Sequence, residues 1–450
     1  MNRKRFNKQL LIIALPMMIQ FLITSSINLM DSFMIGRLGD DAVAALGIGN
    51  QYFFLFNIII MGIMAGCNVL ISQLWGKKDI ATIKKTLGIS LCLGIVASII
   101  FTLGGKFAPE WIIGLFNNTQ IVMQLGKDYL TIVCLGYIFI AISNAFGIAS
   151  RSINKAVTPM VCSAIALVIN IILNYGLIFG NLGMPALGVK GAAIATLIAR
   201  LVEMIVILVS IYGGKSILKS TAKELLSFDR EYFKKTVDVM IHVLMNELCW
   251  GLGSIIYSII YGRMGTESMA AFQICITVQN LFIIVLMAVA GASAVMIGNE
   301  VGASNQPLAR EYASRFMKLG VVLGFVLGIG IIAFSGQILS IYRVSTEAHD
   351  YALKMLYMTG IIMPVRFISV LLIVGILRGG GDVQSALKIE AATMWFIGVP
   401  ICAFFAMVMH WEIHQVFAIV MLEEVVRLIF SLMRYKSGEW IRNISEEMAA

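Results

Sequence analysis

Charge is what this chain has least of. Lys, Arg, Asp and Glu make up 13% of its 450 residues, about half the ~25% usual in soluble domains. Hydrophobic residues make up 59% and the mean hydropathy is +0.90, which excludes a soluble globular protein. The seven cysteines (Cys67, Cys92, Cys134, Cys162, Cys249, Cys275, Cys402) all lie in apolar runs, with no CxxC pair and no histidine at ligand spacing. This excludes a disulfide framework or a structural zinc site and leaves the thiols as small apolar packing groups. No DDxxD motif occurs, so a polytopic membrane enzyme such as a prenyl- or phosphotransferase lacks the Asp-rich group that would bind its metal. No cofactor is implied, and the tail SGEWIRNISEEMAA carries no lipidation motif.

What the chain does have is long apolar runs. Twelve reach the ~20 residues that span a bilayer: about 10–36, 44–75, 86–105, 129–150, 158–180, 189–212, 236–262, 268–301, 315–336, 353–377, 386–409 and 415–435. The basic start MNRKRFNK leads into a run with no small-residue cleavage site, so it reads as a retained first helix. With both termini cytoplasmic, 24 of the 34 Lys and Arg fall on the cytoplasmic side, 7 in the opposite loops and 3 within spans. That asymmetry sets the orientation. It also accounts for the net charge of +9, which therefore gives no support for nucleic acid as a partner.

The two halves repeat each other. Residues 31–76 and 257–302 align without a gap at an offset of 226, with 14 of 46 positions identical, among them Gly36/Gly262, Arg37/Arg263, Gly39/Gly265 and Gly76/Gly302. The longest charged connection, 213–235, divides six spans from six. Six is even, so the halves enter the membrane in the same sense and are related by an axis along its normal. The expected organisation is an all-α integral membrane protein of two six-helix lobes related by a pseudo-two-fold axis. Residues 1–212 form the first lobe, 213–235 a solvated cytoplasmic linker, 236–436 the second lobe and 437–450 a cytoplasmic tail.

Ionisable residues in spans are costly and are read first as functional. Asp31 lies about five residues from the outer end of the first span, roughly 7 to 8 Å deep at 1.5 Å per residue, with Asn28 on the same face. Asn170 and Asn174 form an i,i+4 pair on the fifth span, and Thr196 stands at similar depth on the sixth. One carboxylate with amide and hydroxyl oxygens suits a hard monovalent cation or a proton relay. The alternative is helix–helix hydrogen bonding, with Asp31 satisfied by the backbone. In the second half Asp31 is matched by Tyr257, so this site is not duplicated and the ion chemistry belongs mainly to the first half. The acidic residue there is Glu247, flanked by Asn246 and Trp250, placed either to meet a cationic substrate or a proton or to serve a structural hydrogen bond. Arg200 and Glu203 can neutralise each other at i,i+3. Arg366, Glu390, Glu423, Glu424 and Arg427 read as structural ion pairs. His242 reads as a polar plug, and His349, His410 and His414 as solvated. With 27 Met and 25 Phe, an adaptable cavity would suit varied amphipathic ligands.

MDSFMIGRLG with a following AALG, ISQLWG, NIILNYGLIFG with LGVKGAAIAT, and LRGGGD in the second half resemble the multidrug and toxic compound extrusion (MATE) transporters of bacterial type, over about residues 8–436. The resemblance implies a monomeric antiporter of the cytoplasmic membrane, exporting small organic cations in exchange for Na⁺ or H⁺. It places the coupling-cation site at Asp31, Asn170, Asn174 and Thr196, with Na⁺ held by Asp31, Asn174 and Thr196. Glu247, Asn28, Trp250 and Tyr257 become candidates for substrate or secondary coupling. Departures are His242 and Ala386, where the family often has proline. A lipid-linked oligosaccharide flippase of the same superfamily would need a strongly cationic cleft, and few unpaired Arg or Lys stand in the spans.

Overall fold

A computed structural model describes residues 3–117, 119–340, 342 and 344–448, without the side chains of Arg3 and Asn28; the expectation for Asn28 therefore lies outside the described residues. Among the described residues, eleven helices are long and apolar enough to cross a membrane. They are α1 (Arg3–Gly36), α2 (Asp40–Lys77), α3 (Ile80–Phe107), α4 (Gln120–Ser152), α5 (Val157–Phe179), α6 (Val189–Tyr212), α7 (Arg230–Arg263), α8 (Thr266–Gly302), α9 (Gln306–Leu339), α10 (Thr346–Leu377) and α11 (Val383–Val408). The twelfth apolar run is broken at Met421 into α12 (Ile413–Val420) and α13 (Leu422–Ser437), each too short to span by itself.

The chain forms two compact units. The N-terminal unit comprises 11–75 and 79–244, and the C-terminal unit comprises 1–10, 76–78 and 245–450. The division falls inside α7, not in the 213–235 connection. The cause is close packing within the N-terminal unit: a Cβ on Gly62 would lie 2.6 Å from Leu244 Cα, and one on Gly66 would lie 2.7 Å from Met240 Cα. The bare glycine backbone of α2 is what admits the first half of α7.

Most residues of the 213–235 connection are exposed, and its short helical stretch rests on α3. Only residues 222–225 of it are helical before α7 begins, and Leu218 is fully buried. Glu224 accepts from Lys84 Nζ at 2.7 Å, and a Cβ on Gly88 would meet Leu225 O at 1.9 Å. The lysine, with the Thr221 backbone behind it, holds the Glu224 carboxyl below its ordinary value.

In the C-terminal unit, α9 and α10 approach so closely that a Cβ on Gly328 would lie 2.3 Å from Gly360 O. Three π-helical stretches interrupt α10 and α11, at Leu371–Leu377, Met394–Gly398 and Phe404–Val408. The tail is also ordered: Trp440 is buried against Gly380, Gly381 pairs with Ile441, and Arg442 N donates to Gly380 O at 2.7 Å. Gly380 and Gly381 of LRGGGD therefore form the seat of the tail. His414, expected to be solvated, is 15% exposed, stacks on Tyr351 and lies 3.3 Å from Glu412.

Filling the α2 seat tests this packing. Gly62→Val should lower stability by ~1–3 kcal/mol, the usual cost of overpacking, read as thermal unfolding in detergent, whereas Gly36→Ala, with open space around it, should leave the midpoint nearly unchanged.

Candidate functional site

The helical repeat sets up a polar stripe on three helices of the N-terminal unit. Gln20 and Asp31 on α1 are eleven residues apart, three helical turns, and so share a face. Ser163, Asn170 and Asn174 do the same on α5, and Thr196, Arg200 and Glu203 on α6. The fold turns these stripes towards one another.

Asp31 is 7% exposed and its carboxylate receives side-chain donors from two helices. Asn174 Nδ2 donates to Oδ1 at 2.5 Å and Thr196 Oγ1 donates to Oδ2 at 3.3 Å. Asn174 Nδ2 also donates to Asn170 Oδ1 at 3.1 Å, and Asn170 Nδ2 to Thr196 Oγ1 at 3.4 Å. The four residues close a ring in which Asn174 and Thr196 both donate to the carboxylate, the arrangement an ionised acid needs when it is out of water. Asn174 Oδ1 is buried with no donor. Together with Asp31, Asn170 and Thr196 it makes an all-oxygen donor set of the kind a hard monovalent cation takes.

The ring borders a pocket of about 480 Å³, open space at its mouth included, whose lining adds Asn50, Phe53, Tyr129, Tyr137 and Arg200. Arg200 does not close on Asp31 as a partner. Its Nη1 donates to Glu203 Oε2 at 2.9 Å, which forms the pair expected from their spacing. Glu203 Oε1 accepts from Ser163 at 2.7 Å, Ser163 accepts from Gln20 at 3.1 Å, and Gln20 accepts from Arg151 at 3.0 Å. A hydrogen-bonded file thus runs from the pocket wall to the last turn of α4. Sequence reasoning missed Gln20 and Ser163, although their spacing from Asp31 and Asn170 on a common face was the available signal.

In the C-terminal unit Glu247 is not free to meet a ligand charge. Arg378 Nη1 donates to Glu247 Oε1 at 2.7 Å and Nη2 to Asn246 Oδ1 at 2.8 Å. Trp250 is 40% exposed. Tyr257 stands apart from both, donating to Glu423 Oε2 on α13 at 2.5 Å.

The MatE family pattern matches residues 16–176 and 243–404, one match in each half. The chain belongs to the MATE family. Membership makes it a transporter, not an enzyme. It is 25% identical over 411 residues to a probable multidrug resistance protein NorM of Bacillus anthracis, covering 90% of this chain and 89% of that one. A second protein of that name, from Thermotoga maritima, is 22% identical, covering 96% and 93%. Among solved structures, the Vibrio cholerae MATE transporter VcmN in its bent form superposes with a TM-score of 0.85 at 19% identity, covering 97% of each chain. A MOP superfamily transporter from Pyrococcus furiosus, whose binding pocket is described as reversed in polarity, gives 0.86 at 19%, covering 96% and 97%. These likenesses show the fold: an all-α membrane protein of twelve spans.

The Arg200–Glu203 pair should be coupled within its file. Glu203→Gln leaves a guanidinium 13% exposed without a carboxylate, and should destabilise the protein by ~2–3 kcal/mol in thermal unfolding. Arg200→Gln combined with Glu203→Gln should recover most of that loss, giving a clearly non-additive double-mutant cycle.

Proposed function

We propose that this MATE transporter is a secondary antiporter of the cytoplasmic membrane, with both termini cytoplasmic. It exports cationic or amphipathic organic compounds in exchange for Na⁺ or H⁺. The reading rests on one observation: a single carboxylate, Asp31, is buried in a ring of amide and hydroxyl groups contributed by α5 and α6.

The ring ties α1 to α5 and α6 through the negative charge of Asp31. A proton or sodium ion reaching the carboxylate removes the charge to which Asn174 and Thr196 donate. With a proton, one of those donors loses its acceptor; with a sodium ion, the amide and hydroxyl oxygens turn towards the ion. Either way the hydrogen bonds that fix α1 are exchanged for others, and the N-terminal unit changes its internal packing. An arrangement that differs between loaded and empty states is what antiport requires, because a ligand shifts an equilibrium only by its differential affinity for the two states. The names of the relatives, multidrug resistance proteins, support small organic molecules as the exported class.

Dye efflux from proteoliposomes, with Na⁺ and pH gradients imposed one at a time, tests the proposal. Efflux should follow at least one gradient. Asp31→Asn, which keeps the shape and removes the charge, should lower gradient-driven efflux by ten-fold or more, and Thr196→Ala by a smaller factor. Undiminished efflux with unchanged cation dependence in Asp31→Asn would sink the assignment.

A further inference from the structure

The C-terminal unit contains a second buried ionic cluster, and its charges do not balance. Arg427 on α13 hydrogen-bonds Glu423. It lies 3.2 Å from Glu390 Oε1 on α11 and 3.6 Å from Glu424 Oε1. Arg366 on α10 lies 3.4 Å from the same Glu424 oxygen and donates to Gln279 on α8 at 2.6 Å. Three carboxylates thus face two guanidiniums. The next charged groups, Glu247 and Arg378, pair with each other. The other ionisable neighbours among the described residues, Cys249, Tyr257 and Tyr261 on α7 and Cys402 on α11, are neutral in their ordinary forms. One negative charge is left over in a part of the protein surrounded by apolar side chains and lipid, where an uncompensated ion is costly.

The hydrogen bonds show which carboxyl holds the excess. Both oxygens of Glu423 have donors, Arg427 on Oε1 and Tyr257 on Oε2. Glu424 has one oxygen without a donor, yet its other oxygen is flanked by both guanidiniums. Glu390 is 6% exposed, faces a single guanidinium, and its Oε1, although 3.2 Å from an arginine nitrogen, receives no hydrogen bond. A metal ion would need several free oxygens around one point, and Arg427 already occupies the point the three carboxylates share. A proton needs only one.

We propose that Glu390 is a proton-binding site, carrying one proton at neutral pH and thereby neutralising the Glu390–Glu423–Glu424 cluster. The proposal goes beyond the role given to Asp31 and does not rest on it. It also changes how the repeat reads. In the first half a carboxylate on the first helix accepts from a hydroxyl on the sixth, Asp31 from Thr196. In the second half the aligned residue Tyr257, on the corresponding first helix, donates its hydroxyl to Glu423 on the corresponding sixth. The same pair of helices is bonded with donor and acceptor exchanged. The fifth helix of each half completes the site, with Asn170 and Asn174 in one and Glu390 in the other. Gly398, at the end of the π-helical stretch beyond Glu390, lets that backbone approach: a Cβ there would lie 2.0 Å from Tyr257 Oη and 2.2 Å from Glu423 Oε2.

The experiment is infrared spectroscopy of the full-length protein in lipid vesicles near neutral pH, reading the C=O stretch of protonated carboxyl groups. The Asp31→Asn background removes any contribution from Asp31. We expect a band that is lost in Glu390→Gln and that keeps its position in Glu423→Asp, which leaves the charge balance of the cluster unchanged. Glu390→Asp, which keeps the acid, should move the band without removing it, and serves if the glutamine variant does not fold. In thermal unfolding the wild type should lose stability as pH rises from about 6 to about 9, because the folded state holds a proton that the unfolded chain releases at neutral pH. Glu390→Gln, being permanently neutral there, should lose that dependence. A spectrum with no protonated-carboxyl band, a band unchanged by Glu390→Gln, or the same pH dependence in both proteins overturns the proposal.

Discussion

A carboxylate cannot be left unsolvated in hydrocarbon, and much of the interior of this protein is arranged around that cost. An ionised Asp31 would receive from Asn174 and Thr196 the hydrogen bonds that water would have supplied. Those donors come from α5 and α6, so solvating the charge is the same act as joining three helices. Any ion that neutralises Asp31 acts on both at once. On the antiport proposed above, this is how a binding event the size of one proton or one sodium ion would be converted into a change in helix packing.

The joint has to be made between helices that already lie close, and small residues achieve that. Gly191 on α6 allows that helix to touch Leu177 on α5, where a Cβ would lie 2.3 Å from the carbonyl oxygen. In lipid, where apolar side chains gain little from facing one another in preference to acyl chains, such close backbone approaches and interhelical hydrogen bonds do much of the association. The polar ring and the glycine seats are thus parts of one mechanism of assembly. The first specifies which faces meet, and the second lets them meet.

Much of this was legible in the sequence, for reasons that can be named. Apolar runs of bilayer length declare themselves through composition, and the stripe Asn170–Asn174 declares its face through spacing. Depth counting along three spans brought Asp31, Asn174 and Thr196 to one level because a helix rises by a fixed distance per residue. What spacing along one helix does not carry is the partner on another. Arg378, the arginine of LRGGGD, sends its long side chain to Glu247, and no periodicity within either helix predicts that pairing. Where the tail and the 213–235 connection touch the body was out of reach of the sequence for a related reason. Their docking is made by backbone atoms against Gly380 and Gly88, and backbone contacts leave little trace in side-chain pattern.

The repeat shows most clearly where reading by alignment stops. Asp31 aligned with Tyr257 looks like a site lost, because an acid has become a neutral hydroxyl. The fold shows that the bond between corresponding helices is kept while its polarity is reversed, since Tyr257 donates where Asp31 accepts. Such a reversal is invisible at a single aligned position, because the compensating change, Glu423 opposite Tyr257 where Thr196 stands opposite Asp31, lies on a different helix. It also explains why the second cluster needs its arginines. One acid among amides can be held by neutral donors, whereas three acids on α11 and α13 repel one another and require Arg427 between them. Duplicating a scaffold therefore did not duplicate its chemistry: the first half holds one acid among neutral donors, and the second holds a crowded cluster of three acids and two arginines.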